Sequence, residues 1–165
     1  LNDKSLRKSK NIRTNHDEHL NMFQLCYASQ STSTAENLLQ DLRNILIEAR
    51  NANTQHQVSG VLCYAEGYFF QCLQGDEQAV QEIFAGIVGD PRHQNIQIFT
   101  ENHVAQQHFQ DWAMKYVMRN SEIKAYFQQL GHAQFLPHQL NATQVDGLLQ
   151  VLYEALNHSV VDEVA

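Results

Sequence analysis

The sequence predicts an α+β domain in which two helices cover one face of a small sheet. Three observations carry that expectation. Short apolar runs bounded by turn residues alternate with two stretches of helical period, two of the runs meet across a Glu-Gly turn, and both helical stretches are apolar on one side only.

The first strand spans residues 22–29. Ser33-x-x-Glu36 then has the spacing of a capping box opening a helix. That helix carries Leu38, Leu42, Ile45, Leu46 and Ala49 on one side and is expected to end near Asn51-Ala52-Asn53. Val58 to Tyr64 and Tyr68 to Leu73 read as strands joined through Ala65-Glu66-Gly67, a hairpin.

Gly75-Asp76 starts a second helix with Val80, Ile83, Phe84, Ile87 and Val88 at helical spacing, and Gly89-Asp90-Pro91 stops it. Two further strands are expected at Ile96 to Thr100 and about Phe109 to Val117, joined by a polar loop around Gln106-Gln107. The order β-α-β-β-α-β, with an added fifth strand, is that of a ferredoxin-like sandwich. In that topology the first and third strands are central neighbours. Alternation puts Leu25, Tyr27 and Ser29 on one face of the first, and Phe69, Gln71 and Leu73 on one face of the third. Both helices should cover that face.

The remainder reads as extra C-terminal helices. Ser121 to Leu130 is a short helix, Gly131 to Pro137 a connector, and Asn141-x-x-Gln144 a cap for a last helix. Its stripe is Val145, Leu148, Leu149, Leu152 and Leu156, which must bury itself on the outer face of the sheet or on another protein. The expected organisation is a flexible polar leader over 1–21, a domain over 22–118 and a helical extension over 119–165.

Composition narrows the function classes. Hydrophobic residues make up 43% and charged residues 18%, which suits a folded domain. No apolar run approaches the ~18–20 residues of a membrane span, and no secretory signal is visible, so the expected compartment is the cytoplasm. The net charge is −7, with about +2 on residues 1–21 and −9 on the rest. A body that acidic repels phosphate backbones and argues against direct nucleic-acid binding. Met22 is a candidate natural start, with residues 1–21 read as upstream or vector sequence.

Cys26, Cys63 and Cys72 lie in expected strands without CxxC spacing and read as small buried hydrophobes. No HExxH or clustered Cys/His pattern suggests a metal. His16 and His19, three apart in the leader, are a weak pair for one.

The informative residues are polar ones inside apolar strands. Gln71 interrupts Tyr68-Phe69-Phe70-Gln71-Cys72-Leu73, and Tyr27 follows Leu25-Cys26. A buried amide without partners costs about 1–3 kcal/mol, so Gln71 needs one, and a neighbouring Tyr27 hydroxyl can give or take a hydrogen bond.

Over residues 22–118 the sequence resembles the BLUF domain, a blue-light sensor that holds a flavin, usually FAD, without a covalent bond. The resemblance rests on Leu25-Cys26-Tyr27-Ala28-Ser29, Ala49-Arg50-Asn51-Ala52-Asn53, Ser59-Gly60-Val61-Leu62-Cys63-Tyr64 and Phe69-Phe70-Gln71-Cys72-Leu73-Gln74-Gly75. Asp90-Pro91-Arg92-His93 and Phe109-Gln110-Asp111-Trp112-Ala113-Met114 complete it. The tail resembles that of the short stand-alone members, which carry no catalytic output domain.

The resemblance implies a role for each matching position. Tyr27 matches the tyrosine that gives an electron and a proton after excitation, and Gln71 the glutamine that bridges it to the flavin and reorganises. Asn53 matches an asparagine bonded to the ring edge, and Phe69 an aromatic packed near it. Arg92 and His93 match basic residues near the ribityl-phosphate end. Trp112 and Met114 match a pair on the fifth strand that moves with signalling. FAD is the implied cofactor, with FMN as the other candidate. The implied partner is a protein, a transcription regulator being one candidate, with homo-oligomers also open. Gln74 stands where the family usually has glutamate, Gln57 where glycine is common, and Ala113 where a polar residue is usual.

Structural readings stand beside these. Asn53 could be a helix C-cap, Arg92 and His93 a solvated turn, and Trp112 and Met114, two apart on a strand, same-side packing. Two other functions compete with the photoreceptor. One is a light-independent interaction module, the other an enzyme: an acylphosphatase-like hydrolase or a flavin oxidoreductase. Ser29-Gln30-Ser31-Thr32-Ser33 lacks the arginine and glycine such a hydrolase wants, and no GxGxxG is present.

Overall fold

The computed structural model describes residues 22–105, 107–118 and 121–162, so the expected leader and its His16 and His19 lie outside the described residues. The elements run β1 (Met22–Ser31), α1 (Leu38–His56), β2 (Ser59–Ala65), β3 (Tyr68–Gly75), α2 (Glu77–Val88), β4 (His93–Val104), β5 (Lys115–Met118), α3 (Ser121–Gln129) and α4 (Ala142–Asp162). A 3-10 turn lies at Pro137–Gln139. The sheet order is β4-β1-β3-β2-β5. All pairs are antiparallel except β2 with β5, so the core of the sheet is the expected ferredoxin-like one.

Turn chemistry fixes the register. Glu66 and Gly67 both take positive φ, 54° and 89°, the pattern of a two-residue hairpin whose twist matches its strands. Gly60 is required where β2 crosses β3, since a Cβ there would lie 2.3 Å from the Cys72 carbonyl oxygen.

Alternation then sorts side chains into two cores. On the inner face Leu25, Tyr27, Leu62, Phe69 and Leu73 pack with Leu42 and Ile45 of α1 and Val80 and Phe84 of α2. On the outer face Cys26, Cys63, Phe70 and Cys72 pack under Ile123, Phe127, Val145, Leu148, Leu152 and Leu156. The α4 stripe therefore finds its cover on the sheet. Asn141 and Gln144 cap it reciprocally: Gln144 N–H donates to Asn141 Oδ1 at 2.9 Å, and Asn141 N–H to Gln144 Oε1 at 3.0 Å. All three cysteines are buried and free, and burial pushes the Cys63 thiol up to about 12.

Several boundaries differ from the sequence reading. Ser33 caps nothing: its hydroxyl donates to Asp41 Oδ2 at 2.7 Å, and α1 begins only after Asn37. At its other end α1 continues to His56, because nothing in Asn51-Ala52-Asn53-Thr54 breaks a helix. The left-handed cap is Gln57, φ 54°, whose N–H reaches Thr54 O and which stands where glycine is common. The strand β4 is much longer than expected.

The strand β5 is much shorter, pairing only from Lys115. Ahead of it Trp112 N–H turns back to Phe109 O, and side chains of α1 take the Ala113 and Met114 carbonyls.

Candidate functional site

The two central strands bring Tyr27 and Gln71 directly opposite each other in register. Tyr27 is fully buried, and its hydroxyl donates to Gln71 Oε1. With that direction of donation the Gln71 amide keeps its Nε2 hydrogens for others, and one points to Met114 Sδ at 3.6 Å. Burial, with the Asp90 carboxylate second, holds the Tyr27 phenol well above its ordinary range, so it stays protonated. Phe84 tilts against its ring, 5.2 Å between centroids.

Above this pair lies a cavity of about 340 Å³ between α1 and α2, within the range of small-molecule sites. Tyr27, Gln71 and Leu62 line it from the sheet, Asn53 and Ala49 from α1, and Gly86 from α2. Asn53 is fully buried in the last turn of α1. Its Nδ2 donates to Ala113 O, while its Oδ1 is buried without a partner. It is thus no C-cap. A buried amide oxygen left unpaired beside a cavity suits a site that receives a donor from a ligand, and an isoalloxazine edge supplies one.

The loop after α2 closes one end. His93 Nδ1 lies 2.8 Å from Ser29 Oγ, and its ring sits 4.7 Å from that of Phe69. Burial is the main cause holding the His93 imidazole below its usual value; nearby Arg92 adds to this and Asp90 opposes it. Arg92 is no free turn residue, because it is engaged by Asp90 and Glu48. Burial alone would raise Asp90, but the Arg92 bonds outweigh it and hold the carboxyl low. Phe69 is buried beneath His93 and Tyr64 rather than on the cavity wall.

Trp112 and Met114 do not share a side. Met114 is buried in the inner core and bonded to Gln71. Trp112 packs against the outer core, its ring 6.4 Å from Phe109. Both precede β5, where the chain turns and strand alternation does not apply.

Three contributing residues went unassigned in the sequence. Arg50 Nε donates to Met114 O at 3.1 Å, and no pattern announces this. Ser29 shares the face of Tyr27, so alternation alone pointed to it. Glu48, beside the cavity, gave no signal.

The site is thus a cavity over a paired tyrosine and glutamine, with an orphaned amide oxygen at its edge. Residues 22–115 match the family model BLUF, "Sensors of blue-light using FAD". The BlsA ground-state structure is 42% identical, with a TM-score of 0.77 over 80% of this chain and 87% of that one. The dark-state structure of the BLUF protein BlrB is 26% identical, with a TM-score of 0.69 over 83% and 98%.

The photoactivated adenylate cyclase subunit beta of Euglena gracilis is 32% identical over 99 residues, 60% of this chain and 12% of that protein. The blue light- and temperature-regulated antirepressor BluF of Escherichia coli is 44% identical over 48 residues, 29% of this chain and 12% of that protein. The chain therefore spans only about an eighth of these curated relatives.

The chain belongs to the BLUF family of blue-light sensors using FAD. Its likeness to BlsA runs along most of both chains.

Proposed function

We propose that the domain is a flavin photoreceptor in which Tyr27 and Gln71 form the photochemical pair and the output is a protein contact, not turnover. The observation that carries this is the buried Tyr27 to Gln71 hydrogen bond at the floor of a cavity edged by the unpaired Asn53 Oδ1. Bound there, flavin supplies blue-light absorption and an excited-state electron acceptor. Tyr27 is the electron donor, and Gln71 Oε1 is where its proton is held. Asn53 and Gln71 would offer the ring amide partners, and His93 and Arg92 would face its ribityl end.

Turning the Gln71 amide exchanges a donor for an acceptor at one position. One or two bonds exchanged at ~1 kcal/mol each fall short of the ~5.5 kcal/mol of a complete switch, so the lit state reverts in darkness. Met114, bonded to Gln71, couples the site to the segment leading into β5. Beyond that lie α3 and α4, which we assign as the docking extension for a protein partner, a transcription regulator being one class. FAD is the natural cofactor on the family's description, with FMN sharing the ring.

Among the described residues no helix is long and apolar enough to cross a membrane, which is compatible with a cytoplasmic sensor. The test is an absorption spectrum in darkness, under blue light and during recovery. A flavin spectrum shifting slightly to the red and relaxing back is expected; a protein that stays colourless after incubation with FAD would leave a light-independent interaction module.

A further inference from the structure

The cation at the mouth of the cavity is already taken. Arg92 Nε lies 2.9 and 3.0 Å from the two Asp90 carboxylate oxygens, and Nη2 lies 2.6 Å from Oδ2. The same Nη2 reaches Glu48 Oε2 at 2.5 Å, and Nη1 reaches Oε1 at 3.4 Å. Glu48 and Asp90 line the cavity beside Arg92, and Glu82 adds a third carboxylate there. The hydrogen bonds that Arg92 donates to Asp90 are the main cause that holds it firmly charged, despite partial burial, and Glu48 adds to this.

The two carboxylates differ in how they are tied. Asp90 sits two residues from Arg92 in the same turn and also accepts the Arg92 backbone N–H at 2.9 Å. Glu48 comes from the opposite wall, on α1, and its side chain is 61% exposed. Asp90 is therefore a fixture of the turn. Glu48 is a separable guard that spans the mouth and occupies the guanidinium edge a phosphate would need.

We infer that Glu48 is a specificity-determining residue. By holding Arg92 it denies a phosphate its cation at the mouth, so the site selects a flavin by its ring and ribityl chain. A phosphate arriving there must displace Glu48 or share Arg92 with the two carboxylates that already engage it. This inference rests on the flavin reading. Because Glu48 is largely in water, its influence is modest and salt-sensitive.

The experiment titrates flavin-free protein with riboflavin and with FMN, the two differing by one phosphate, following flavin fluorescence at low salt and at high salt. Glu48→Gln should tighten FMN relative to riboflavin about three- to five-fold at low salt, the scale of one exposed ion pair. The gain should disappear at high salt and in the double variant Glu48→Gln with Arg92→Gln. An unchanged FMN-to-riboflavin ratio, or a gain that survives removal of Arg92, overturns the inference. Failure of the unaltered protein to bind either flavin overturns the flavin reading itself, which is a different result from an unchanged ratio.

Discussion

Tyr27 and Gln71 are a cross-strand pair whose side chains meet, the phenol donating to the amide oxygen at the inner face of the sheet. Removing either partner orphans the other. Tyr27→Phe should keep the flavin, since the ring still packs on Phe84, and should abolish the light-induced red shift. Gln71→Leu should do the same optically. Each should also cost about 1–3 kcal/mol for the polar atom left unpaired. Light-minus-dark spectra and urea midpoints check both; a normal photocycle in Tyr27→Phe would remove the phenol from the mechanism.

Met114 accepts from Gln71 through sulfur and thereby favours the amide orientation seen here, which the proposed photocycle starts from. Met114→Leu keeps the volume and should cost less than about 1.5 kcal/mol. Losing a bond worth ~1 kcal/mol should lengthen the lit-state lifetime by up to about five-fold. Following absorbance after a blue pulse measures it, and an unaltered lifetime would show that the sulfur does not hold the amide.

Partial burial holds the His93 imidazole below its usual value, so acid acts against the fold. Its folded value lies below the ordinary 6.5, hence the unfolded chain binds the proton first. This contribution to stability should be flat above pH 6.5 and decline as pH falls from there through the lowered value. Urea midpoints compared between the unaltered protein and His93→Gln across pH 5 to 7.5 isolate it: the variant should lose this part of the slope.

Gln57 spends energy on its backbone, with φ at 54°. A side chain there costs about 1–2 kcal/mol, partly offset by the ~0.5–1 kcal/mol that glycine loses in chain entropy. Gln57→Gly should therefore stabilise by about 0.5–1 kcal/mol and raise Tm by about 2 °C. A lower Tm on thermal melting would contradict the assignment of strain.

Leu152 is fully buried between α4 and the outer face. Leu152→Ala should cost about 2–5 kcal/mol. Removing residues 141–165 would bare Cys26, Phe70 and Cys72 to water, so truncation should reduce solubility and the denaturation midpoint together. A truncated domain as stable as the full chain would mean that the extension contributes nothing to the core.

Much of this was legible in the chain. Alternation placed Tyr27 and Gln71 on one face and the topology made their strands neighbours, because strand period and sheet order are set by local patterning. The stripe from Val145 to Leu156 likewise declared a buried face and a cap. What failed turned on partners that spacing alone does not select. Ser33 has capping-box spacing, but its hydroxyl found Asp41. Asn53 read as the end of a helix that continues past it, since termination depends on Gln57 tolerating a left-handed backbone. Trp112 and Met114 read as strand neighbours, but bonds from Arg50 and Asn53, some sixty residues away, shape that segment and send them to opposite sides.

The loop ahead of β5 is pinned from both surfaces of a single strand. Gln71 holds it at Met114 from the inner side. Gln74, three residues on and buried on the other side, accepts the His108 and Phe109 amides while giving its own to Gln24. A segment held at Met114 and again at His108 and Phe109 flexes between those holds, as a bowed spring does. At its far clamp the gripping side chain is an amide where carboxylate is usual, so Gln74 keeps the same donors and acceptor whatever the pH. Whatever moves at Gln71 therefore pulls against a grip that has no ionisable group of its own.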